Sequence, residues 1–453
     1  MTDKQRLVLI VAILASFLSG LDQSVVNVAL PAISHELGGG LAVQQWVNSA
    51  YAITLGALIL VAGSLSDIFG RKRILLLGIV GFGLASFLCA IAPTAIFLIA
   101  ARALQGVFGA LLVPSSLALI ISAFDGPSQG KAIGTWTAWT GISFLVGPLV
   151  GGVLVDSLSW RWIFAINILP ILITVWLLLR LPADKRHKGT AVDIVGALLC
   201  TIGLAGTVFS LIEQPTFGWS HPLIYTTFIG GVTALLAFWW YERRTPQPML
   251  PLSLFAVRNF SVGNLATVTI YAGLAVTTFL ITIFIQQVGG YSALFAGLSI
   301  LPVTIIMFFL SPRFGALAGR FGPRFFMAAG PIVAAVGFLL LLRVDASVAY
   351  WTQLLPGILV FGLGLSMTVA PLTAAVLGDI DKRHAGIGSA INNAVARIAG
   401  LIAISSIGLI IGTTLDLSGF HRGIIVMAIL LASGGIISAI GIKNPTIQNQ
   451  DSK

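Results

Sequence analysis

Three charged side chains lie inside long apolar stretches of the sequence: Asp22, Arg102 and Arg397. A charge near the centre of a membrane span costs at least about 2.5 kcal/mol, so such residues mark function by default. Asp22 is the only carboxylate among the three, and a desolvated carboxylate can take up a proton. These residues could carry out reversible proton binding, and we predict that Asp22 and Arg102 form a proton-coupling site.

Asp22 and Arg102 are expected at similar depth in their spans. At 1.5 Å per helical residue, Asp22 lies about 12 Å and Arg102 about 10 Å below the outer ends of those spans. The two side chains neutralise each other if their helices are neighbours. A static structural salt bridge is the alternative interpretation. Arg397 is expected to face a cavity, backbone carbonyls or a first-half carboxylate, or to be an interhelical hydrogen-bond donor.

The composition predicts that these residues are carried by membrane helices. The chain is 57% hydrophobic and 9% charged, with a mean hydropathy of +1.02, whereas soluble domains carry roughly 25% charged residues. We therefore expect an all-α polytopic membrane protein. The net charge of +10 does not indicate nucleic acid, because the cations fill the short gaps between apolar runs. Cys89 and Cys200 lie within apolar runs and are interpreted as packing residues.

Fourteen stretches approach the roughly 20 apolar residues that a span needs. They cover 7–30, 43–65, 74–91, 95–124, 132–155, 162–179, 194–212, 223–240, 260–285, 293–310, 325–342, 351–377, 386–411 and 424–442. An even number puts both termini on one side, and twenty of the 25 Lys and Arg residues fall there, against three on the other side. Because cytoplasmic loops carry the excess of cations, we predict that both termini are cytoplasmic and that the first span is uncleaved.

A weak internal repeat divides the chain. The stretch 63–73 returns at 315–324, with Gly63 aligned to Gly315 and Gly70 to Gly322. Membrane proteins built from such repeats are most often secondary transporters. We predict two six-span halves, 1–182 and 251–453, joined by a two-span insertion over 183–250. A short interfacial helix is expected at 251–259.

Five motifs in order resemble the major facilitator superfamily, and specifically its fourteen-span drug:proton antiporter family. They are the first-span signature at 21–31, motif A at 63–73, motif B at 102–110, motif C at 147–152 and a Trp-Arg-Trp segment at 160–167. Phe108 stands where motif B usually has a glycine, and Ser143 replaces the leading glycine of motif C. The resemblance covers nearly the whole chain and implies the major facilitator fold.

Motif A is expected to form a conformational latch. Its predicted members are Gly63, Asp67, Gly70, Arg71, Arg73 and Asp125. The resemblance implies that Asp67 lies against the positive N-terminus of the thirteenth span, near 385–388. It also implies that Arg71 bridges to Asp125, which would hold the outward-open state. The alternative is that the cations of motif A only set topology.

Motif C removes side chains from one region of the fifth span. Gly147, Gly151 and Gly152 allow a neighbouring helix to approach closely, and Pro148 bends the helix. The resemblance implies that this contact seals the route between cytoplasm and outside in export-type carriers. Taken without the other motifs, the glycines would indicate plain helix packing.

A substrate cavity is expected near the midplane between the halves. Its candidate lining residues are Asn27, Tyr51, Gln105, Trp139, Tyr271, Gln286, Asn392, Asn393 and Arg397. Aromatic residues on membrane helices more often pack than bind ligands, which is the alternative for Tyr51, Trp139 and Tyr271.

The sequence thus predicts a proton-coupled antiporter that exports hydrophobic or cationic drugs and dyes across the cytoplasmic membrane. The alternatives are a dedicated exporter of an amphipathic metabolite or lipid, and a transport-dead membrane receptor. We expect no enzyme activity, since no His lies within a span and no nucleophile–base arrangement is apparent. We also expect no metal or cofactor, a proton gradient as the energy source, no nucleic-acid partner and a monomer.

Overall fold

Regular structure in the described part of the chain is helical throughout. This suits a bilayer, because backbone N–H and C=O groups find no water partner in hydrocarbon. The computed structural model describes residues 1–124, 126–182, 193–246, 248, 250–345, 347–378, 380 and 385–444, without the side chains at 60, 64, 67, 126, 127, 130, 131, 134, 137, 138, 144, 145, 385 and 386. Its α-helices are α1 (Asp3–Leu37), α2 (Gly40–Phe69), α3 (Arg71–Ala90), α4 (Ala95–Ala123), α5 (Gly126–Ser157), α6 (Trp162–Ala165), α7 (Ile168–Leu179), α8 (Ile194–Phe217), α9 (Pro222–Glu242), α10 (Arg258–Gln287), α11 (Ala293–Ser299), α12 (Leu301–Phe321), α13 (Pro323–Leu340), α14 (Leu355–Gly378), α15 (Ala385–Ile411) and α16 (Leu417–Gly441).

Thirteen helical segments among the described residues are long and apolar enough to cross a membrane. They correspond to thirteen of the fourteen predicted spans. The other predicted span, 43–65, falls on α2, a helix of 30 residues that is not among the thirteen. A polytopic helical protein is therefore confirmed, and the count of fourteen stays a prediction.

Local side-chain chemistry sets several helix ends. Thr2 and Gln5 form a capping box at the start of α1, in which each side chain accepts from the other's backbone N–H. Thr94 caps α4 by accepting from the N–H of Phe97 at 3.2 Å. The predicted interfacial helix at 251–259 is a shorter 3₁₀ turn, Leu252–Ala256.

The predicted sixth span is broken, which the sequence pattern did not indicate. α6 ends at Ala165 and α7 begins at Ile168, so Asn167 lies in a turn between them. Pro170 has no N–H to donate to the carbonyl of Ile166, which favours the break at this point. The turn aims the Asn167 side chain into the helix bundle, where it is fully buried.

The internal repeat has a structural counterpart. Gly70 ends α2 and begins α3 with φ at 97°, and Gly322 ends α12 and begins α13 with φ at 87°. A residue with a Cβ is strained at such positive φ, so glycine suits both positions. The two aligned glycines therefore make the same sharp helix-to-helix turn.

The chain divides into two compact units. The first comprises Met1–Pro251, Thr278–Leu298 and Leu401–Phe420, and the second comprises Leu252–Thr277, Ser299–Gly400 and His421–Lys453. In the first, Arg102 is the largest fully buried side chain. In the second, α13 and α14 approach backbone to backbone, since a Cβ on Gly337 would lie 2.4 Å from the nitrogen of Phe361. The predicted boundaries at 182 and 250 stay a prediction.

Candidate functional site: a buried ion pair and its amide neighbours

The candidate site lies inside the first unit, where four helices and one turn present polar groups to each other. Asp22 is in the middle of α1, and Arg102 and Gln105 lie one turn apart on α4. α3 contributes Ser86, and the turn between α6 and α7 contributes Asn167. All five side chains are fully buried.

Asp22 and Arg102 form a direct ion pair. Arg102 Nη1 lies 2.6 Å from Asp22 Oδ2, and both side chains have no exposed surface. Arg102 Nε also donates to the carbonyl of Val47 on α2 at 3.1 Å. The guanidinium carbon lies 4.3 Å from the centre of the Tyr51 ring, an arrangement that favours a cation. The Arg102 side chain on α4 is thus held by groups on both α1 and α2.

Two amides complete the surroundings of the Asp22 carboxylate. Gln105 Nε2 donates to Asp22 Oδ1 at 2.8 Å, and Asn167 Nδ2 donates to the same oxygen at 3.0 Å. Both amides also donate to Ser86 Oγ, at 2.7 and 3.4 Å. Asp22 is the acceptor in every hydrogen bond described for its side chain, and such an arrangement stabilises an ionised carboxylate.

The motif C glycines lie where α5 touches other helices closely. A Cβ on Gly147 would lie 1.8 Å from Ser24 Oγ on α1, and a Cβ on Gly152 would lie 2.4 Å from Leu294 Cα on α11. Gly151 faces α1 as well, with a Cβ position 3.2 Å from the Val25 carbonyl oxygen. α5 is therefore packed closely against α1 and α11, and at Gly147 and Gly152 a Cβ would force the neighbouring atoms to move.

Pro148 belongs to the same contact. A Cβ on Gly297 of α11 would lie 2.5 Å from the Pro148 carbonyl oxygen. At the end of α5, the Asp156 carboxylate accepts hydrogen bonds from the N–H groups of Ala293 and Leu294, at 3.0 and 2.8 Å. The carboxylate thereby caps the start of α11.

The predicted latch is only partly within the described residues. Arg71 Nη1 donates to the carbonyl of Ala118 on α4 at 3.1 Å, and Arg73 is exposed. Asp125 lies outside the described residues, as does the side chain of Asp67. The latch therefore stays a prediction, with Gly63 on α2 and Gly70 at its end.

Two of the predicted substrate-cavity residues contact the ion pair. Tyr51 is buried beneath Arg102, and Gln105 bonds both members of the pair. Both were expected to line a cavity because they are polar or aromatic in apolar spans. Their contacts with the pair cross between helices and could not be read from sequence, and their role in substrate binding stays a prediction.

The other predicted cavity residues are distributed over both units. Asn27, Trp139 and Gln286 belong to the first unit, and Tyr271, Asn392, Asn393 and Arg397 belong to the second. Trp139 is 48% exposed. Asn392 Nδ2 donates to Asn264 and Thr267 on α10, and Asn393 donates to the carbonyl of Ser389 one turn earlier. Their role in substrate binding stays a prediction.

A cavity of about 660 Å³ opens at the C-terminal ends of α1, α5 and α10. His35, Asp156, Gln286 and Tyr291 are among its lining residues. Its volume is in the range of small-molecule sites, but neither Asp22 nor Arg102 lines it. The cavity and the buried ion pair are therefore separate features of the first unit.

Sequence reasoning missed Asn167 and Ser86 as neighbours of Asp22. Asn167 drew attention only as the end of the Trp-Arg-Trp segment, and Ser86 drew none. An amide inside a predicted span was the available signal for Asn167. Among the described residues, no three His, Cys, Asp or Glu side chains come together as metal ligands.

The chain belongs to the Major Facilitator Superfamily, whose family model matches residues 12–404. It is 36% identical over 403 residues to the puromycin resistance protein of Streptomyces alboniger, covering 88% of this chain and 80% of that protein. It is 31% identical over 418 residues to the multidrug resistance protein Stp of Mycobacterium tuberculosis strain CDC 1551 / Oshkosh, covering 92% and 78%. The fold matches the crystal structure of a POT family transporter with a TM-score of 0.72 at 12% identity, over 95% of this chain and 94% of the other.

Proposed function

We propose that this membrane transporter exports hydrophobic or cationic drugs and dyes in exchange for protons. The single observation that carries the proposal is the fully buried pair of Asp22 and Arg102. Relatives that confer resistance to puromycin and to multiple drugs support the substrate class. Transport of this kind changes no covalent bond in the substrate and uses the proton gradient, without a metal or cofactor.

The pair supplies a proton site with two distinct states. In the ionised state, Asp22 accepts hydrogen bonds from Arg102, Gln105 and Asn167. Protonation removes the negative charge and weakens the hold on Arg102, whose Nε and Nη1 also bond other helices and side chains. Proton binding and helix arrangement are then linked, and linkage is reciprocal. A cation or drug that binds one arrangement more tightly changes the proton affinity of Asp22, and protonation of Asp22 changes the affinity for that compound by the same factor.

The remaining parts of the proposal concern organisation. We place both termini in the cytoplasm, fourteen spans in the cytoplasmic membrane, and two six-span halves around an inserted pair. The proposed latch of motif A and the proposed seal of motif C control access to a substrate cavity that includes Asn392, Asn393 and Arg397. A monomer is sufficient for this cycle.

A dedicated exporter of one amphipathic compound is the second candidate. It is favoured by the relative that is named as a puromycin resistance protein. A susceptibility panel in an efflux-deficient host separates the two candidates: protection against several unrelated compounds supports the first, and protection against a single scaffold supports the second.

The test is proton-driven exchange in reconstituted vesicles that contain a pH-sensitive dye. We expect Asp22→Asn to abolish substrate-driven proton movement while substrate binding is largely retained. Asp3→Asn removes an exposed carboxylate from the start of α1 and is expected to behave as the wild type. If the Asp22→Asn protein exchanges substrate for protons at near the normal rate, the coupling group is not Asp22 and the proposal is wrong.

A further inference from the structure

Two amides donate to Asp22 Oδ1, and they differ in how their other ends are held. Gln105 Oε1 accepts from Arg102 Nη1 at 2.6 Å and lies 3.7 Å from the Cys89 thiol. Rotating the Gln105 amide would break these contacts and turn its oxygen towards a carboxylate. Gln105 is therefore fixed as a donor to Asp22.

Asn167 is not fixed in this way. Its Nδ2 donates to Asp22 Oδ1 and Ser86 Oγ, but its Oδ1 is buried without a hydrogen-bond partner. A buried polar atom without a partner is costly and calls for an explanation. Rotation by half a turn would exchange Nδ2 and Oδ1 and sacrifice no bond on the far side. The Ser86 hydroxyl accepts from an N–H in one orientation and donates to an oxygen in the other.

We propose that Asn167 is a positioning residue that reverses its amide when Asp22 takes up a proton. It donates Nδ2–H to the carboxylate, and after reversal its Oδ1 accepts from the O–H of the carboxylic acid. This inference rests on the proposed function, because it needs Asp22 to be the site where the transported proton binds. Asn167 is not among the residues that the sequence predicted for the proton site, which were Asp22 and Arg102.

The proton count is simple. One proton from solution adds to Asp22 Oδ1, and the new O–H donates to Asn167 Oδ1. Gln105 Nε2 continues to donate to the same oxygen, and no other group changes its protonation. Without reversal, the acid O–H would face the N–H groups of both amides and find no acceptor there. Reversal therefore lowers the free energy of the protonated state.

The other titratable groups near Asp22 come from three helices. Arg102 on α4 bonds it directly, Tyr51 on α2 packs on the Arg102 guanidinium, and Cys89 on α3 contacts Gln105. From α5, the Ser143 carbonyl accepts from Ser24 at 3.2 Å, and from α6 the Phe164 ring centre lies 5.8 Å from the guanidinium carbon. Neither the carbonyl nor the phenyl ring titrates, so Asp22 is the group whose proton Asn167 would sense.

The test is a titration of purified protein by infrared difference spectroscopy. The C=O band of protonated Asp22 is identified as the band that Asp22→Asn removes. Asn167→Leu keeps a similar volume and removes both amide groups, with Asn167→Ala as a second variant in case Leu prevents folding. Asn167→Ser restores a group that can donate or accept. The control Asn259→Leu removes an amide whose two ends bond Lys443 in the second unit.

We expect Asn167→Leu to raise the titration midpoint of Asp22 by roughly one pH unit, because a hydrogen bond to a charged group is about twice as strong as a neutral one. The C=O band of the acid should also move, since its O–H loses its acceptor. Asn167→Ser should return both values towards the wild type, and Asn259→Leu should leave both unchanged.

The outcomes separate the proposals. A raised midpoint with an unmoved acid band makes Asn167 a donor only, and the reversal is then wrong. If neither value changes while Asp22→Asn still abolishes exchange, Asn167 only packs, and the inference fails alone. If Asp22→Asn retains proton-driven exchange, the proposed function fails first.

Discussion

Burying a carboxylate and a guanidinium together is costly unless both find hydrogen-bond partners. Asp22 and Arg102 find them on α2, α3, α4 and the turn before α7, although Arg102 Nη2 is left without one. Such a pair adds little to the stability of the fold, because well-packed apolar residues of similar volume often stabilise a protein equally well. The proposed change of its protonation state during transport is a better reason for a buried pair at this position.

Removing one partner should expose that cost. We expect Arg102→Met to lower the free energy of unfolding by about 3–5 kcal/mol, because Asp22 is left charged and buried. The double variant Asp22→Leu, Arg102→Met should recover most of the loss but remain inactive. Thermal unfolding of the purified proteins in detergent measures both effects. Equal stability of Arg102→Met and the wild type would mean that Asp22 is already neutral in this state.

At this scale the sequence predicted the pair but not its neighbours. Depth along an apolar span can be counted, so Asp22 and Arg102 could be matched from their positions alone. The contribution of Asn167 depends on the break between α6 and α7, and its donor direction depends on Ser86. Neither property is written in residue spacing. For the same reason, the contacts of Tyr51 and Gln105 with the ion pair could not be predicted.

Among the helices, α5 shows how small residues set a contact. Gly147 and Gly151 face α1, while Gly152 faces α11. The sequence predicted close approach from the glycine pattern, but it did not identify which helix each glycine meets. It also missed the Asp156 cap on α11, because Asp156 is separated in sequence from Ala293 by 137 positions and from Leu294 by 138.

Two alanine substitutions on α5 form a matched pair. Gly152→Ala places a Cβ 2.4 Å from the Leu294 backbone, whereas a Cβ on Gly141 meets nothing within 4 Å. We expect Gly152→Ala to cost about 1–3 kcal/mol of packing and to slow export. Gly141→Ala should stay within about 0.5 kcal/mol of the wild type. Transport assays on vesicles with equal amounts of each protein compare them, and similar rates would argue against a functional contact between α5 and α11.

For the whole molecule, the distribution of cations predicts the orientation in the membrane. Twenty Lys and Arg residues lie on the predicted side of the termini, and Arg161, Arg343 and Arg422 lie on the other. The spans themselves could be predicted because hydropathy is a property of local sequence. The break at Asn167 could not, because it depends on Pro170 and the effect of a single proline varies with context.

Cysteine labelling tests the orientation. We expect Arg186→Cys to react with an impermeant maleimide only in opened cells, and His221→Cys, at the start of α9, to react in intact cells. The reason is the bias of cations towards cytoplasmic loops. Reaction at position 186 in intact cells together with protection at position 221 would invert the topology.

Within the first unit, the helices α8 and α9 attach to the others through α2. Trp46 Nε1 donates to Glu213 Oε1 at 2.7 Å, and the Trp46 and Phe209 ring centres are 5.9 Å apart. Where α8 covers α2, it keeps lipid chains from that face. The neighbour of α2 there belongs to the same polypeptide and does not exchange. A moving helix normally exchanges its lipid neighbours, and its motion then varies with bilayer composition. On the face of α2 that carries Trp46, this chain has replaced that variable neighbour with a fixed one.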